Sequence, residues 1–456
     1  MAIAETRQLF GTDGVRGVAN VEPVSVETAL RLGRALASAC QQKRAGRCTI
    51  LIGRDTRLSG DMIEAALVAG ICSMGGDALL AGVVPTPAVA ALTHRLQADA
   101  GVVISASHNP FQDNGIKFFA SMGFKLSDAA ERTIEDLVMG STIDPVRPIA
   151  SHIGRARHVA DAGERYINFL KQAFSGGARL DGLKIVVDCA HGAAFHVGPR
   201  VLQELGAHVV AIGVSPDGEN INRGCGAMHP QHLQQTVVAE QAHLGVALDG
   251  DADRVIFVDE RGEVVDGDET LAMIATAMLN HGTLQQATVV ATVMSNIGLE
   301  IALRDRGARL VRVQVGDRYV VEEMVRHGYN LGGEQSGHLI CLDHSTTGDG
   351  LIAALIVLRL MVTLERPLSD LKRAMSKFPQ ALINVPVTQR RDLRTIAALA
   401  ETVDRITAAL NDRGRVLVRY SGTEPVVRVM VEGEHVAQVN AFAEEIATAI
   451  RTHLAA

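Results

Sequence analysis

Three stretches of the chain repeat one alternation of apolar runs and amphipathic segments. In each, a short aliphatic run predicts a strand, apolar positions three or four residues apart predict a helix, and two further aliphatic runs predict two more strands. The predicted strands are 49–53, 78–84 and 101–104, then 184–188, 207–212 and 244–248, then 287–292, 309–313 and 329–333, with helices at 61–72, 197–205 and 297–304. Because strands alternate with helices, we expect parallel sheets covered by helices on both faces.

Beyond Pro379 this alternation changes. Two apolar runs, 415–420 and 426–431, flank the turn sequence Ser-Gly-Thr-Glu-Pro and predict two further strands. The sequence therefore predicts an α/β protein. We expect three similar α/β domains with mixed, largely parallel sheets, plus a smaller C-terminal α+β domain, arranged around one central cleft. The predicted domains span residues 1–150, 151–255, 256–372 and 373–456.

Polar or glycine-rich sequences follow the third predicted strand of each stretch. They are Ser-Ala-Ser-His-Asn-Pro at 105–110, Asp-Gly-Asp-Ala-Asp-Arg at 249–254 and Gly-Gly-Glu-Gln-Ser-Gly-His at 332–338. In open α/β sheets, ligands bind beyond the carboxyl ends of the strands. We therefore expect these three loops to converge on one cleft.

Composition narrows the classes of function. The 456 residues include 44 Lys and Arg against 51 Asp and Glu, a formal charge of −7, and 3% are aromatic. Without a basic surplus or many aromatic side chains, the chain is unsuited to nucleic-acid binding by phosphate neutralisation or base stacking. The most apolar window, 351–364, contains Arg359 and is shorter than the roughly 20 residues of a membrane-spanning helix. With six scattered cysteines and no secretory signal, we expect a cytoplasmic protein without nucleic-acid or membrane partners.

Asp249, Asp251 and Asp253 alternate along the chain, so an extended segment places their carboxylates on one side. Carboxylate oxygens are the hard ligands that Mg²⁺ and Ca²⁺ prefer. An EF-hand is excluded because Arg254 occupies the position that requires glycine, whereas a solvated acidic turn stays open as the alternative. Since Mg²⁺ commonly keeps waters and accepts substrate phosphate oxygens, a metal site here also predicts a phosphoryl partner.

Ser107 lies among small and turn-forming residues and admits three interpretations. A serine hydrolase is disfavoured, because the adjacent His108 is a poor triad base and no Gly-x-Ser-x-Gly elbow surrounds the serine. A phosphorylated serine would present its phosphoryl group to the metal site. A capping or turn serine would have no chemical role. Lys117, shortly after this loop, either stabilises phosphoryl charge, moves protons with a lowered pKa, or is an ordinary surface lysine.

Arginine and hydroxyl side chains mark further candidate binding positions. The loops 11–17, with Arg16, and 53–57 are each either a phosphate site or a surface turn with an ion pair. Glu334 and Ser336 offer an acceptor and a hydroxyl to sugar hydroxyls, with a glycine-rich turn as the alternative. The ingredients of a phosphate site also occur together at Arg419, Ser421, Gly422, Thr423 and Arg428. The chain has no P-loop and no convincing Gly-x-Gly-x-x-Gly after a strand, so nucleotide binding is unsupported.

Four motifs occur in a fixed order: Ser-Ala-Ser-His-Asn-Pro, Asp-Gly-Asp-Ala-Asp-Arg, Gly-Glu-Gln-Ser-Gly-His and Arg-Tyr-Ser-Gly-Thr-Glu-Pro. With them, the chain resembles the α-D-phosphohexomutase family over its whole length. Within the family, Phe-Gly-Thr-Asp-Gly-Val-Arg-Gly at 10–17, Val-Gly-Asp-Arg at 315–318 and Gln335 resemble the branch that acts on glucosamine phosphates. The alternative branch, which acts on mannose and glucose phosphates, usually has Met in place of Gln335 and Gly-His in place of Gly316-Asp317.

The resemblance implies an isomerase that interconverts glucosamine 6-phosphate and glucosamine 1-phosphate through a phosphoserine enzyme and a bisphosphorylated sugar. The reaction would lie on the route to UDP-N-acetylglucosamine and peptidoglycan precursors. The phosphoserine would be Ser107, primed by a bisphosphorylated sugar or by autophosphorylation, and its phosphate would hold Mg²⁺ together with Asp249, Asp251 and Asp253. Lys117 and Arg16 are then the other catalytic candidates. The implied substrate-binding residues are Arg254, Glu334, Ser336, His338, Arg419, Ser421, Gly422, Thr423 and Arg428.

Two other classes of protein stay open. A metal-dependent sugar phosphatase would use the same serine and aspartates but release phosphate to water. A non-catalytic sugar-phosphate sensor would keep the binding loops without needing the hydroxyl of Ser107. In each case we expect a small phosphosugar as the partner, and a homodimer is an assembly that the sequence leaves open.

Overall fold

The computed structural model describes residues 9–11, 13–42, 46–174, 179–421 and 425–454. The chain divides into two compact units. Unit 1 comprises the described residues up to Val293 together with Val311–Lys372, and unit 2 comprises Met294–Leu310 with the described residues from Arg373 onward.

The first sheet of unit 1 is mixed. Its strands are β1 (Val15–Val18), β2 (Thr49–Arg54), β3 (Asp77–Val83), β4 (Ala100–Ile104), β5 (Asp113–Ala120) and β6 (Ala156–His158), in the order β1-β5-β4-β2-β3-β6. The helices of this region are α1 (Val26–Gln42), α2 (Gly60–Ser73), α3 (Thr86–Arg95) and α4 (Asp128–Met139). Strands β4, β2, β3 and β6 pair in parallel, whereas β5 returns antiparallel to β4 and also pairs with β1.

Two further mixed sheets follow along the chain. The second contains β7 (Lys184–Asp188), β8 (His208–Ile212), β9 (Leu244–Leu248), β10 (Val255–Asp259) and β11 (Val264–Val265), in the order β11-β10-β9-β7-β8, with helices α5 (Ala162–Ala173), α6 (Val197–Glu204) and α7 (Gln231–Ala239). The third contains β12 (Thr288–Thr292), β13 (Arg309–Val313), β14 (Leu331–Gly333) and β15 (Leu339–Cys341), in the order β13-β12-β14-β15. The helices along this part of the chain are α8 (Gly267–Asn280), α9 (Ile297–Arg304), α10 (Asp317–His327), α11 (Gly350–Leu364) and α12 (Leu368–Leu371).

The same reversal of direction occurs in all three sheets. The parallel strand β4 is followed by antiparallel β5, β9 by β10, and β14 by β15. Strands β4, β9 and β14 are buried along their whole length. Each strand is therefore held in the core up to its carboxyl end. The short loops that join the strands at these reversals carry the three motifs of interest.

Unit 2 contains a three-stranded antiparallel sheet formed by β16 (Gln380–Pro386), β17 (Arg415–Tyr420) and β18 (Val426–Glu432), in the order β16-β18-β17. Alternate residues of β18 are buried against α13 (Ala397–Leu410) and α14 (Val436–Leu454). This period of two is the pattern of a strand with one face on a core. The opposite face of β18 carries Arg428.

The predicted fold class is confirmed: α/β domains with mixed sheets precede a smaller C-terminal α+β domain. The first sheet includes β6, which lies beyond the predicted boundary at residue 150. The second sheet includes β10 and β11, which extend beyond the predicted boundary at residue 255. The apolar window 351–364 forms most of α11, which is buried for much of its length. Within the part of the chain that the structure describes, no helix combines the length and apolarity needed to cross a membrane.

Candidate active site

The loop between β4 and β5 holds Ser107 in a strained, buried position. Ser107 has a φ of 51° and is 1% exposed. A non-glycine residue in this left-handed region costs on the order of 1–3 kcal/mol and persists only where the surrounding structure holds it. The hydroxyl donates a hydrogen bond to Oδ2 of Asp249 at 2.6 Å, and the backbone N–H donates to the hydroxyl of Ser105 at 2.9 Å. Strain, burial and a carboxylate partner favour a chemical role over that of a turn serine.

Arg57 supports the serine loop through its backbone. Its side chain is fully buried, and Nη2 donates to the carbonyl oxygens of Ser107 and Asn109, both at 2.9 Å. Asp55 accepts a bond from Nε of Arg57 at 2.9 Å and another from the Ser105 hydroxyl at 2.6 Å. For the loop 53–57 we predict a phosphate site or a surface turn with an ion pair. Neither fits Arg57, because its donors are directed at the protein interior, whereas Arg54 of the same loop does form ion pairs, with Asp61 and Glu64.

Asp249, Asp251 and Asp253 meet in the loop between β9 and β10. All three are buried, and one carboxylate oxygen of each lies within 4.8 Å of the other two. Oδ1 of Asp251 and Oδ1 of Asp253 are buried without a hydrogen-bond partner among the described residues. Leaving such oxygens unpaired is costly unless they coordinate a cation. The donor set fits a hard divalent cation such as Mg²⁺, and the solvated acidic turn is excluded.

The three carboxylates differ in their electrostatic surroundings. Burial, together with repulsion from Asp253 and Asp251, raises the pKa of Asp249 well above its ordinary value. Burial also acts to raise the pKa of Asp253, but the charges of Lys117 and His338 outweigh it and hold this pKa well below the ordinary value. Neighbouring acids whose pKa values move in opposite directions are typical of functional sites.

Lys117 projects from β5 into the carboxylate cluster. Its Nζ lies 2.8 Å from Oδ2 of Asp251, 3.3 Å from Oδ2 of Asp253 and 3.4 Å from Oδ2 of Asp13, and the residue is 1% exposed. Burial acts to lower the pKa of Lys117, but the three carboxylates outweigh it and raise the pKa. The surface lysine is therefore wrong, and the raised pKa does not favour the proton carrier with a lowered pKa. The geometry fits the remaining interpretation, a fixed positive charge.

A closed ring of six ionisable side chains joins the loops of the site. Burial acts to lower the pKa of His338, but Asp253 and Asp317 outweigh it and raise the pKa, which favours the protonated imidazolium. With His338 protonated, positive and negative groups alternate around the ring. In order, the members are Asp253, Lys117, Asp13, Lys125, Asp317 and His338.

Sequence reasoning missed three members of this ring as site residues: Asp13, Lys125 and Asp317. Lys125 pairs with both aspartates. Asp13 also pairs with Arg16 on β1, whose Nε is buried without a hydrogen-bond partner in the described part of the chain. Asp13 lies in the motif at 10–17 and Asp317 in the motif at 315–318, so membership of a motif could have identified both residues. Lys125 lies in no motif and could not have been identified in this way.

The third predicted loop reaches the metal loop through His338. Nδ1 of His338 lies 3.6 Å from Oδ1 of Asp253. The backbone N–H of Arg254 donates to Oδ1 of Asp249 at 3.1 Å, so this arginine is anchored beside the carboxylates. Glu334 accepts bonds from the hydroxyl of Ser336 and from the backbone N–H of residue 316, both at 3.1 Å. The predicted convergence of the three loops is thus confirmed within unit 1.

Two arginines of the predicted phosphate site lie opposite each other in unit 2. Arg419 on β17 and Arg428 on β18 are register partners in the antiparallel sheet. Burial, with the charge of Arg428 adding to it, lowers the pKa of Arg419. Like charges directly opposite on neighbouring strands repel each other. An anion that bridges two guanidinium groups would relieve this repulsion, so the pair fits a phosphate ligand.

Ser421 follows β17 and is buried. Its backbone N–H donates to the carbonyl oxygen of Val426, and its own carbonyl oxygen accepts a bond from Nη2 of Arg390, each at 2.9 Å. Arg390 is a neighbour that sequence reasoning missed. Gly422 and Thr423, the other two residues predicted for this loop, lie outside the described residues.

A buried serine against three carboxylates, with fixed cations beside them at the ends of α/β sheets, is the arrangement of a metal-assisted phosphoryl-transfer enzyme. The chain belongs to the phosphoglucomutase/phosphomannomutase family. Its α/β/α domains I, II and III match residues 7–142, 164–262 and 266–378, and its C-terminal domain matches residues 382–449. The predicted family and the predicted isomerase class are confirmed.

Curated relatives share the family, and solved structures share the fold. Proteins named phosphoglucosamine mutase from Syntrophotalea carbinolica and from an Anaeromyxobacter species are 56% and 57% identical to this chain, covering 98% of it and 98% and 96% of their own lengths. A phosphoglucomutase/phosphomannomutase family protein from Burkholderia thailandensis is similar in structure, with a TM-score of 0.80, 23% identity and 98% coverage of both chains. The N-acetylphosphoglucosamine mutase of Aspergillus fumigatus, solved with GlcNAc-6P and magnesium, has a TM-score of 0.68 and 18% identity, covering 98% of this chain and 96% of its own.

Proposed function

We propose that this protein interconverts glucosamine 6-phosphate and glucosamine 1-phosphate through a phosphoserine enzyme and a bisphosphorylated sugar intermediate. The observation that carries the proposal is the 2.6 Å hydrogen bond from Ser107 to Asp249 inside a buried carboxylate triplet. The amino sugar is supported by relatives at 53–57% identity that are named phosphoglucosamine mutase. The reaction would supply the route to UDP-N-acetylglucosamine in the cytoplasm.

The catalytic role of Ser107 is to carry the phosphoryl group. In the first half-reaction a substrate hydroxyl attacks the serine phosphate, the bond from phosphorus to Oγ breaks, and the sugar becomes a bisphosphate. The proton of the attacking hydroxyl passes to Oγ. In the second half-reaction, Ser107 Oγ attacks the phosphoryl group at the other sugar position, the bond from that sugar oxygen to phosphorus breaks, and the proton of Oγ passes to the sugar oxygen. Because Ser107 is buried, few water molecules reach the transferring group, which favours transfer to sugar over hydrolysis.

Asp249, Asp251 and Asp253 are the residues that would hold Mg²⁺, with a phosphate oxygen on Ser107 as a further ligand. The bound ion would supply charge neutralisation and orientation of the phosphoryl oxygens. Oδ1 of Asp251 supports this assignment, since this buried acceptor has no hydrogen-bond partner among the described residues. Oδ1 of Asp253 likewise accepts no hydrogen bond, although it faces His338 at 3.6 Å.

Fixed positive charges complete the reacting centre. Lys117 is held by Asp13, Asp251 and Asp253, so its ammonium group can stabilise developing negative charge without moving. Arg16, anchored through Asp13, has a buried Nε that is available to a phosphoryl oxygen. Both residues would therefore act in phosphoryl transfer and not in proton transfer.

The remaining predicted residues would hold the sugar phosphate. Glu334 and Ser336, together with Arg254 and His338, offer acceptors and donors to the sugar hydroxyls beside the metal loop. The residues proposed for the phosphate that is not reacting are Arg419, Ser421, Gly422, Thr423 and Arg428. One such site suits both half-reactions, because a phosphate must be held in each of them while the other reacts.

Paired activity assays test the proposal. Purified protein with Mg²⁺ and a hexose 1,6-bisphosphate activator would be given glucosamine 1-phosphate, glucose 1-phosphate and mannose 1-phosphate in parallel. We expect the highest kcat/KM for glucosamine 1-phosphate and no net release of inorganic phosphate. A preference for mannose phosphate would place the protein with the alternative branch, and stoichiometric phosphate release would identify a phosphatase.

A further inference from the structure

The carbonyl oxygen of Ser107 is held from two directions. Arg57, which belongs to the same sheet region as the serine loop, donates to this oxygen and to that of Asn109. Asn222, 115 residues further along the chain, donates to the same two oxygens from its Nδ2, at 2.9 Å and 3.1 Å. Asn222 is 8% exposed. The loop that carries the reacting serine is thus fixed by one side chain of its own domain and by one of the next.

Asn222 is itself fixed in position. Its backbone N–H donates to the carbonyl oxygen of Ala190 at 2.9 Å. The carboxylate of Asp188, at the end of β7, accepts bonds from the backbone N–H groups of Ala190 at 2.9 Å and of Gly226 at 2.7 Å. Asp188 thus ties two residues to the end of a buried strand: Ala190, which accepts the backbone bond from Asn222, and Gly226, which follows Asn222 in the chain. The amide is therefore presented by a rigid frame, as a positioning group requires.

The metal loop is packed against this amide. A Cβ added at Gly250 would lie 2.5 Å from the carbonyl oxygen of Ser107 and 2.8 Å from Nδ2 of Asn222. The backbone between Asp249 and Asp251 lies directly against the serine loop and the Asn222 amide. For this reason only glycine fits at position 250. The second sheet thus supplies both the carboxylate that contacts Ser107 and the amide that holds its backbone.

We propose that Asn222 is a positioning residue for phosphoryl transfer, which sets the placement of Ser107 relative to Asp249. The inference rests on the proposed function. Arg57 maintains the shape of the serine loop, whereas Asn222 aligns that loop with the metal loop. Loss of the Asn222 donors would leave the left-handed turn in place but loosen the contact between Ser107 and Asp249. A displacement of about 1 Å at reacting atoms can slow a reaction roughly 100-fold.

Asn222→Asp tests the idea with almost no change of shape. It replaces two N–H donors by a carboxylate oxygen that faces two carbonyl oxygens. Asn220→Asp is the matched control, since Asn220 lies in the same segment, is half-buried, and donates from Nδ2 to the carbonyl oxygen of Ser215 at 2.9 Å, away from the serine loop. We expect kcat of Asn222→Asp to fall roughly 10- to 100-fold while KM for glucosamine 1-phosphate stays within a factor of about three, because Asn222 does not belong to the proposed sugar site.

Hydrogen exchange supplies a readout that does not depend on turnover. Amides of residues 105–109 should exchange faster in Asn222→Asp than in wild type or Asn220→Asp, whereas amides of β4 and β7 should be unchanged. Asn222→Ala removes the donors without adding a charge, and it replaces the aspartate variant if that protein fails to fold. Its kcat should fall in the same direction.

Several results would overturn the inference. They are wild-type kcat and exchange in Asn222→Ala, an equal loss of kcat in Asn220→Asp, or a loss of cooperative unfolding in both Asn222 variants, which would make the residue structural. The proposed function fails separately, if wild-type protein converts no hexose phosphate.

Discussion

Asp251→Asn should separate metal binding from folding. Asp251 Oδ2 accepts bonds from the Thr86 hydroxyl at 2.6 Å and from Nζ of Lys117 at 2.8 Å, while Oδ1 has no hydrogen-bond partner among the described residues. The single carbonyl oxygen of Asn can keep both bonds, and Lys117 retains Asp13 and Asp253 as counterions. Without metal, we therefore expect the free energy of unfolding to change by less than about 1 kcal/mol.

The loss of Mg²⁺ binding in this variant should be seen as a smaller gain in the free energy of unfolding when Mg²⁺ is added. At a concentration of 100 times its Kd, a ligand stabilises the native state by about 2.7 kcal/mol. A tenfold change in Kd corresponds to about 1.4 kcal/mol of binding free energy, and a buried contact between a charge and a cation is worth several times this amount. Removal of one of the three charged ligands should therefore weaken Mg²⁺ binding about 100-fold or more. At the same Mg²⁺ concentration, the variant would then gain only about 0.4 kcal/mol.

Urea unfolding followed by circular dichroism, in EDTA and in Mg²⁺, measures both quantities. Asp188→Asn is the control: Asp188 is equally buried, but its carboxylate is satisfied by two backbone N–H groups. That variant should lose about 1–3 kcal/mol in either condition and keep the full gain from Mg²⁺. If Asp251→Asn kept the wild-type gain, or if Asp188→Asn lost it equally, the carboxylate triplet would not be the metal site.

Three further predictions concern other parts of the molecule. Ser107→Ala should abolish turnover and the phosphorylated species in an intact-protein mass spectrum, and full activity in protein that is never phosphorylated would contradict the mechanism. Arg419→Ala should raise KM and increase the dependence on added bisphosphate; an unchanged KM and activator dependence would exclude it from phosphate binding. Burial raises the pKa of Asp349 to about 6 from an ordinary 3.8. The folded state therefore binds the proton more tightly than the unfolded state, and wild type should lose up to about 3 kcal/mol relative to Asp349→Asn as pH rises from 4 to 7. A difference in unfolding free energy that is independent of pH would refute this.

The repeated apolar pattern located the central elements of the fold because those elements are buried. Strands β4, β7 and β9 begin and end close to the predicted residues, because the central residues of each strand are apolar and buried. The same reasoning did not predict β6 (Ala156–His158), which is exposed along its whole length and has no apolar period. It also treated residues 11–17 as a loop, although Val15–Val18 form an edge strand held by pairing with β5. Short edge strands depend on a partner, which a local pattern does not show.

The residues of the candidate site also fall into two groups, those that a local sequence pattern identifies and those that depend on contacts with distant residues. Ser107 and the three aspartates could be predicted because each lies in a motif whose chemistry is readable from residue type and spacing. Lys125, Arg57 and Asn222 could not, because their contribution comes from contacts with residues far away in sequence. The strain at Ser107 was equally hidden, since the positive φ at this serine is maintained by the long-range contact with Arg57 and not by its neighbours in sequence.

Under the proposed function, the centre binds both a metal and a phosphoryl group, and the ring of alternating charges would help to keep such a centre buried. A phosphoryl group on Ser107 would bring close to two negative charges, and a divalent cation would cancel them. Adding both together leaves the net charge of the centre unchanged, whereas adding the phosphoryl group alone would place about two more negative charges beside the buried carboxylates of Asp249, Asp251 and Asp253. Binding of the cation and phosphorylation of Ser107 must therefore favour each other, and by the same amount in each direction. Burial, with the charges of Asp253 and Asp251 adding to it, raises the pKa of Asp249, and a cation held by this carboxylate would oppose that shift.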